Sequence, residues 1–176
     1  MILAAFLLVA ESSIAQRHRV TSSEISFFSE APMEDIEAHS KQATGLFDAS
    51  SAEIAFVVPI RSFQFDKSLM QEHFNENYLE SEKYPNATFE GKLLNFRPES
   101  SEKQTVTAQG NFTIHGVTHQ VEIPGDVTRQ KDLWQMQASF PVKLEEYKIK
   151  IPKMVFYNIA EVVEVSVQFT YQPDEK

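Results

Sequence analysis

From residue 20 onward the chain alternates apolar and polar side chains with a period of two, and it does so repeatedly along its length. Successive side chains of an extended strand point to opposite faces, so the pattern demands sheets with one greasy and one wet side. Ile25 and Phe27 alternate with Glu24 and Ser26, whereas Ile54, Phe56, Val58 and Ile60 alternate with Glu53, Ala55 and Val57 in a stretch that is nearly apolar on both faces. Ala87, Phe89, Gly91 and Leu93 oppose Thr88, Glu90 and Lys92. Val106, Ala108, Gly110, Phe112 and Ile114 oppose Thr105, Thr107, Gln109, Asn111 and Thr113; His115-Gly116 interrupts, and Val117, Val121 and Ile123 follow in a further run. Gly116 can take the positive φ of a two-residue primed turn, so the two runs read as a tight hairpin. Trp134, Met136, Ala138 and Phe140, then Val163, Val165, Val167, Phe169 and Tyr171, carry the alternation to the end of the chain. An even series of antiparallel strands separated by turns favours a barrel or a sandwich over a parallel sheet.

One segment departs from this rhythm. After Asp66, the residues Leu69, Met70, His73 and Phe74 recur at helical spacing and share a face, which predicts a short helix with Asp66 as its cap. A second helical turn is expected over residues 77–83, stopped at Tyr84-Pro85 because a residue before proline is pushed out of the helical region. Both pieces can lie across one end of a barrel.

A chain of 176 residues without a long linker is read as one domain. Its 14 Phe against 5 Gly supply an aromatic interior in quantity. The formal charge of −9 is spread along the sequence, and Lys and Arg do not cluster as phosphate neutralisation requires, so nucleic acid is not expected as a partner. The same acidity repels an anionic membrane, so traffic with lipid would pass through a recessed apolar site. Residues 2–10 form an apolar run too short to span a bilayer, and Ser13-Ile14-Ala15 before Gln16 has the small residues that a signal peptidase reads. Residues 1–15 are therefore read as a signal peptide, truncated at its start since it lacks leading basic residues, and residues 16–176 as the mature domain of an exported, periplasmic-type protein. No transmembrane segment is expected in that mature part, and the oligomeric state is left open, a homodimer included.

Polar chemistry is sparse. His115 and His119 form the only close histidine pair, but a turn residue and a strand residue with no third ligand nearby do not make a metal site. With no cysteine and no glycine-flanked serine elbow, nucleophilic catalysis has no carrier, and the adjacent Glu72 and His73 diverge on a helix. No cofactor, no metal and no enzymatic activity are expected. Lys143, Lys148, Lys150 and Lys153 read either as a solvated strand edge or as cations at a barrel mouth facing a lipid head group.

Two strings carry a family resemblance. Residues 70–93, MQEHFNENYLESEKYPNATFEGKL, place a His and an aromatic residue before Tyr-Pro and a strand, and residues 110–118, GNFTIHGVT, supply a Gly, an apolar-Thr-Ile and a Gly-Val-Thr turn. In this order and separation they resemble the two signatures of the YceI-like family. The chain differs in carrying Gln71-Glu72 where the family often has Arg-Asp, and Phe112 where Leu is usual. The resemblance extends over nearly all of the mature chain. It implies an all-β, lipocalin-like antiparallel barrel of about eight strands with one or two short capping helices, exported to the periplasm, whose interior binds a polyisoprenoid or similar chain without catalysis.

Alternation alone leaves two interiors open, one filled by side chains and one that holds a ligand. Alternation and resemblance together predict that Phe27, Phe56, Val58, Phe89, Phe112, Ile114, Trp134, Phe140 and Val165 line the interior, with Leu69, Met70 and Phe74 covering an end. The expected guest is a long apolar lipid, an isoprenoid chain. The other reading is a filled barrel that serves as a structural or protein-interaction module.

Overall fold

The computed structural model describes residues 17–30, 35–151 and 160–174. The expected signal peptide and its cleavage point, and Lys153, lie outside the described residues. The strands run β1 (Arg17–Ser29), β2 (Ile36–Ser40), β3 (Thr44–Asp48), β4 (Glu53–Pro59), β5 (Gln64–Phe65), β6 (Asn86–Leu94), β7 (Gln104–Ile114), β8 (Val117–Gln130), β9 (Leu133–Lys143) and β10 (Val162–Pro173), with helix α1 (Ser68–His73) between β5 and β6. All pair antiparallel in a single sheet that closes when β10 meets β1. β2 and β3 follow one another along β1 in one register and act as a single wall strand, while β5 is a two-residue flap on β2. What remains is a closed eight-strand antiparallel barrel, as expected.

The alternation translates directly into inside and outside. Ile54, Val58, Phe89, Leu93, Val106, Phe112, Trp134, Val163, Val167 and Phe169 are buried. The outer face carries cross-strand polar pairs: Gln109 donates to Glu122 at 2.7 Å, the Thr113 and Thr118 hydroxyls meet at 2.8 Å, and Ser139 and Ser166 lie 3.0 Å apart. An apolar interior inside a polar wall is the reverse of a porin-type membrane barrel, whose outer band is apolar. Among the described residues no helix is long and apolar enough to cross a membrane.

Local chemistry sets the turns. His115 and Gly116 both have positive φ, 52° and 71°, and join the paired Ile114 and Val117 in the expected two-residue hairpin. A Cβ on Gly116 would come within 2.5 Å of the Tyr84 ring, so glycine is required there both for its backbone and for the close approach of Tyr84. Asp48 accepts from the amides of Ser50 and Ser51 and from the Ser50 hydroxyl, shaping the β3–β4 turn, and these bonds hold its carboxyl below the usual range. In β1 an irregularity between Val20 and Ser22 transfers the inward positions from His18 and Val20 to Ser23, Ile25, Phe27 and Ser29.

The helical segment differs from expectation in two respects. The cap position of α1 is Lys67, with no side-chain cap hydrogen bond, so Asp66 does not fill that role. The second helical piece is a π-turn over Phe74–Tyr78 continuous with α1, and the residues after it form only turns before Tyr84-Pro85. The Leu79 amide donates to the Phe74 carbonyl at 2.9 Å, the wide closure of such a turn.

Candidate functional site

The barrel interior divides into two halves. At the end where β1 begins and β10 finishes, Phe47, Phe96, Trp134 and Tyr171 pack edge-on or tilted at ring separations of 5.1 to 5.9 Å, with His18 beside Trp134 at 6.4 Å. The Arg129 guanidinium lies 5.2 Å from the centre of the Trp134 ring. This layer fills the lower lumen with the protein's own rings. Above it Phe56 stacks on Phe89 at 5.5 Å and leans on Phe169 at 5.0 Å, forming a waist. Beside that waist is a small void of about 60 Å³, lined among others by Phe89, Leu93, Ala108, Ile123 and Met136.

The upper half, beneath α1, holds the main cavity, of about 120 Å³. Its wall is contributed by six strands of the barrel wall among others: Ile25 and Phe27 from β1, Phe56 and Val58 from β4, Ala87 from β6, Phe112 and Ile114 from β7, Phe140 and Val142 from β9, and Val163, Val165 and Val167 from β10, with none from β8 among the described residues. The roof is aromatic. Phe74 stacks on Phe27 at 5.4 Å and touches Phe63 and Phe65 at 5.7 and 5.0 Å, so four phenyl rings seal α1 against the rim. Among the described residues of the lining, only His73 and Tyr78 have side chains with a nitrogen or an oxygen. Burial pushes the Tyr78 phenol up from its ordinary range.

One side of the wall is built differently. The β8–β9 ladder runs from Gln130 and Leu133 to Gly125 and Ala138 and stops there. Pro124 and Pro141 occupy the two strands just past that point, and neither can donate to a ladder. The gap is filled by the turn Leu144–Tyr147 and by Ile149, all three of Leu144, Tyr147 and Ile149 being buried. Tyr147 sits between Phe112 and His119 at ring separations of 5.5 and 5.0 Å.

Both histidines of the hairpin hold this turn. His115 Nδ1 donates to the Tyr147 carbonyl at 3.0 Å while its Nε2 lies 2.8 Å from the Glu80 carboxylate, and His119 Nε2 lies 2.9 Å from the Glu146 carbonyl. A carbonyl only accepts, so the Nδ1 of His115 carries a proton. Tyr84 packs on His115 at 4.5 Å. The two sequence signatures therefore meet physically: the hairpin tip of the second ties the cap connection of the first to the β9–β10 connection. Glu80 and Tyr147 are 35 and 32 residues from His115, and no local pattern announces such contacts. Among the described residues no group of three or more His, Asp or Glu is placed to hold a metal.

The residues singled out from sequence are distributed as follows. Phe27, Phe56, Val58, Met70, Phe74, Phe112, Ile114, Phe140 and Val165 line the upper cavity; Phe89 lies at the waist and lines the lower void. Trp134 belongs to the packed aromatic layer and lines neither space, because it sits near the other end of its strand. Leu69 is 50% exposed on the outer side of α1, since one helical turn cannot turn all of Leu69, Met70, His73 and Phe74 inward. Lys143 pairs with Glu146 at 3.3 Å, and Lys148 and Lys150 are exposed beside it. Sequence reasoning missed Tyr78, whose position in the π-turn shows only in the fold.

The family description "YceI-like domain" matches residues 17–171. No curated protein matches the chain by sequence. Among solved structures, a polyisoprenoid binding domain from Saccharophagus degradans implicated in plant cell wall breakdown superposes with a TM-score of 0.77 at 15% identity, over 90% of this chain and 99% of that one. BcnA from Burkholderia cenocepacia gives 0.66 at 18% identity, over 85% and 94%, and the YceI protein of Campylobacter jejuni gives 0.65 at 16% identity, over 83% and 90%. At such identities these neighbours establish the shared fold.

Proposed function

This chain belongs to the YceI-like family, and from that premise we propose that it is an exported binding protein that sequesters or carries a long apolar lipid, an isoprenoid chain, within the upper half of its barrel. The observation that carries the reading is the upper cavity: a void roofed by a helix and walled, among the described residues, by hydrocarbon and aromatic side chains apart from His73 and Tyr78. Such a site recognises little but apolar surface, and each methylene it removes from water is worth about 0.8 kcal/mol before ordering costs. The Saccharophagus degradans neighbour, named as a polyisoprenoid binding domain, supports the choice of guest.

Size refines the mechanism. A void of about 120 Å³ is comparable to the engineered apolar cavity of about 150 Å³ that admits one benzene. It accepts one prenyl-sized unit as it stands, and a longer chain enters as the roof yields. α1 is the element suited to yield, because it has six residues and none of them is buried. The aromatic layer around Trp134 limits the guest to the upper half. The N-terminal apolar run supports export, and the carrier role requires no chemistry of bond making or breaking.

The filled-barrel reading draws on the packed lower lumen, and equilibrium dialysis of the delipidated protein against tritiated geranylgeraniol decides between the two. Saturable uptake of one equivalent at micromolar concentration or below is the expected outcome. Uptake that rises linearly without saturation, in protein whose circular dichroism shows the folded barrel, overturns the carrier.

A further inference from the structure

Tyr78 places a phenol in a largely hydrocarbon lining. It is 5% exposed, it lines the upper cavity, and its hydroxyl is enclosed without a hydrogen-bond partner among the described residues. A buried hydroxyl that bonds to nothing opposes folding, so its presence in an otherwise hydrocarbon wall needs a reason. The backbone around it is also unusual. The π-turn Phe74–Tyr78 widens the helix at this point, and His73 and Tyr78, five residues apart, are, among the described residues, the only members of the lining whose side chains carry a nitrogen or an oxygen.

We propose that Tyr78, with His73 of the same lining, is a polar anchor beneath the cap for an uncharged oxygen of the bound lipid. The ligand class is then a prenyl alcohol or ketone whose oxygen-bearing end lies inside at the roof. A bare hydrocarbon leaves the Tyr78 hydroxyl unsatisfied, and a prenyl phosphate brings charge into a lining that among the described residues has no Lys or Arg. The assignment rests on the lipid-binding reading and narrows it. It also explains how a cavity so poor in polar atoms discriminates, since a site built to bond an oxygen rejects the analogue that lacks it.

The test compares three probes of equal chain length, farnesol, farnesene and farnesyl phosphate, on the wild-type chain and on Tyr78→Phe. Wild type is expected to prefer farnesol. Tyr78→Phe is expected to weaken farnesol by about tenfold, to leave farnesene within about twofold, and not to lower the melting temperature. Equal loss of farnesol and farnesene reveals a packing role and overturns the anchor, as does an unchanged farnesol affinity. Folded wild type that takes up none of the probes overturns the carrier reading itself. Independently of any variant, the infrared carbonyl stretch of geranylacetone bound to wild type is expected below its position in hydrocarbon solvent; a stretch at the hydrocarbon position contradicts the anchor.

Discussion

Ala87→Phe separates folding from binding in this barrel. Ala87 is buried on β6, its Cα opposite that of Val58 on β4, and both side chains face the upper cavity. A phenyl ring added there occupies most of the 120 Å³ void. Burying the ring gains about 1.5 to 3 kcal/mol, and imperfect fit costs about 1 to 3 kcal/mol. The net change in stability therefore lies between a loss of about 1.5 and a gain of about 2 kcal/mol, a shift of at most about 8 °C in Tm. Binding behaves differently, because the ring displaces one five-carbon prenyl unit at about 0.8 kcal/mol per carbon. That is about 4 kcal/mol, or roughly three decades in Kd. The assay is thermal unfolding and geranylgeraniol dialysis on the same preparation. A variant that melts within the stated range yet binds like wild type refutes the reasoning, since the lipid would then lie outside this cavity.

Further outcomes follow from other parts of the structure. Gly116→Ala forces a methyl group into the Tyr84 ring at positive φ, and the left-handed conformation and the clash together are expected to cost about 2 to 4 kcal/mol, read as a fall in the denaturant midpoint. His115→Leu leaves the buried Tyr147 carbonyl without its donor, for about 2 kcal/mol, and speeds hydrogen exchange at the Ile149 amide, which bonds to Leu144; unchanged exchange there would show that the hairpin does not hold the turn. The Tyr171 phenol is pushed up by almost complete burial, whereas an unfolded phenol ionises near pH 10. The stability tied to its neutral form is thus intact below about pH 10 and lost as the pH rises toward the folded value. Tyrosinate absorbance is expected to show this residue ionising only with unfolding, a step that Tyr171→Phe removes; ionisation of every tyrosine near pH 10 in the folded protein would contradict its burial.

How much of this was legible in the sequence depends on what alternation encodes. It reports which face a side chain takes, so the inward positions of Phe56, Val58, Phe112, Ile114, Phe140 and Val165 were readable, as was the His115-Gly116 hairpin. It does not report depth along the barrel axis, which depends on how each strand is staggered against its neighbours across long sequence distances. Trp134 and Phe140 share a face of β9 yet belong to different halves of the lumen for that reason. The irregularity at Thr21, the flap of β5 on β2, and the contacts of His115 with Glu80 and Tyr147 are likewise products of tertiary pairing. Leu69 and Asp66 were misplaced because α1 spans little more than one turn, where helical spacing discriminates poorly between a face and its flank. Tyr78 lay within a string of helix-compatible residues, and only the π-turn turns it into the cavity.

The proposal that the upper lumen holds a prenyl guest is tested most directly by native mass spectrometry of the purified mature chain, before and after organic extraction. The account predicts a complex heavier than the bare chain by one lipid, loss of that mass on extraction, and its return when one equivalent of a prenyl alcohol is added back. A bare chain throughout, folded and refusing the added lipid, would contradict it.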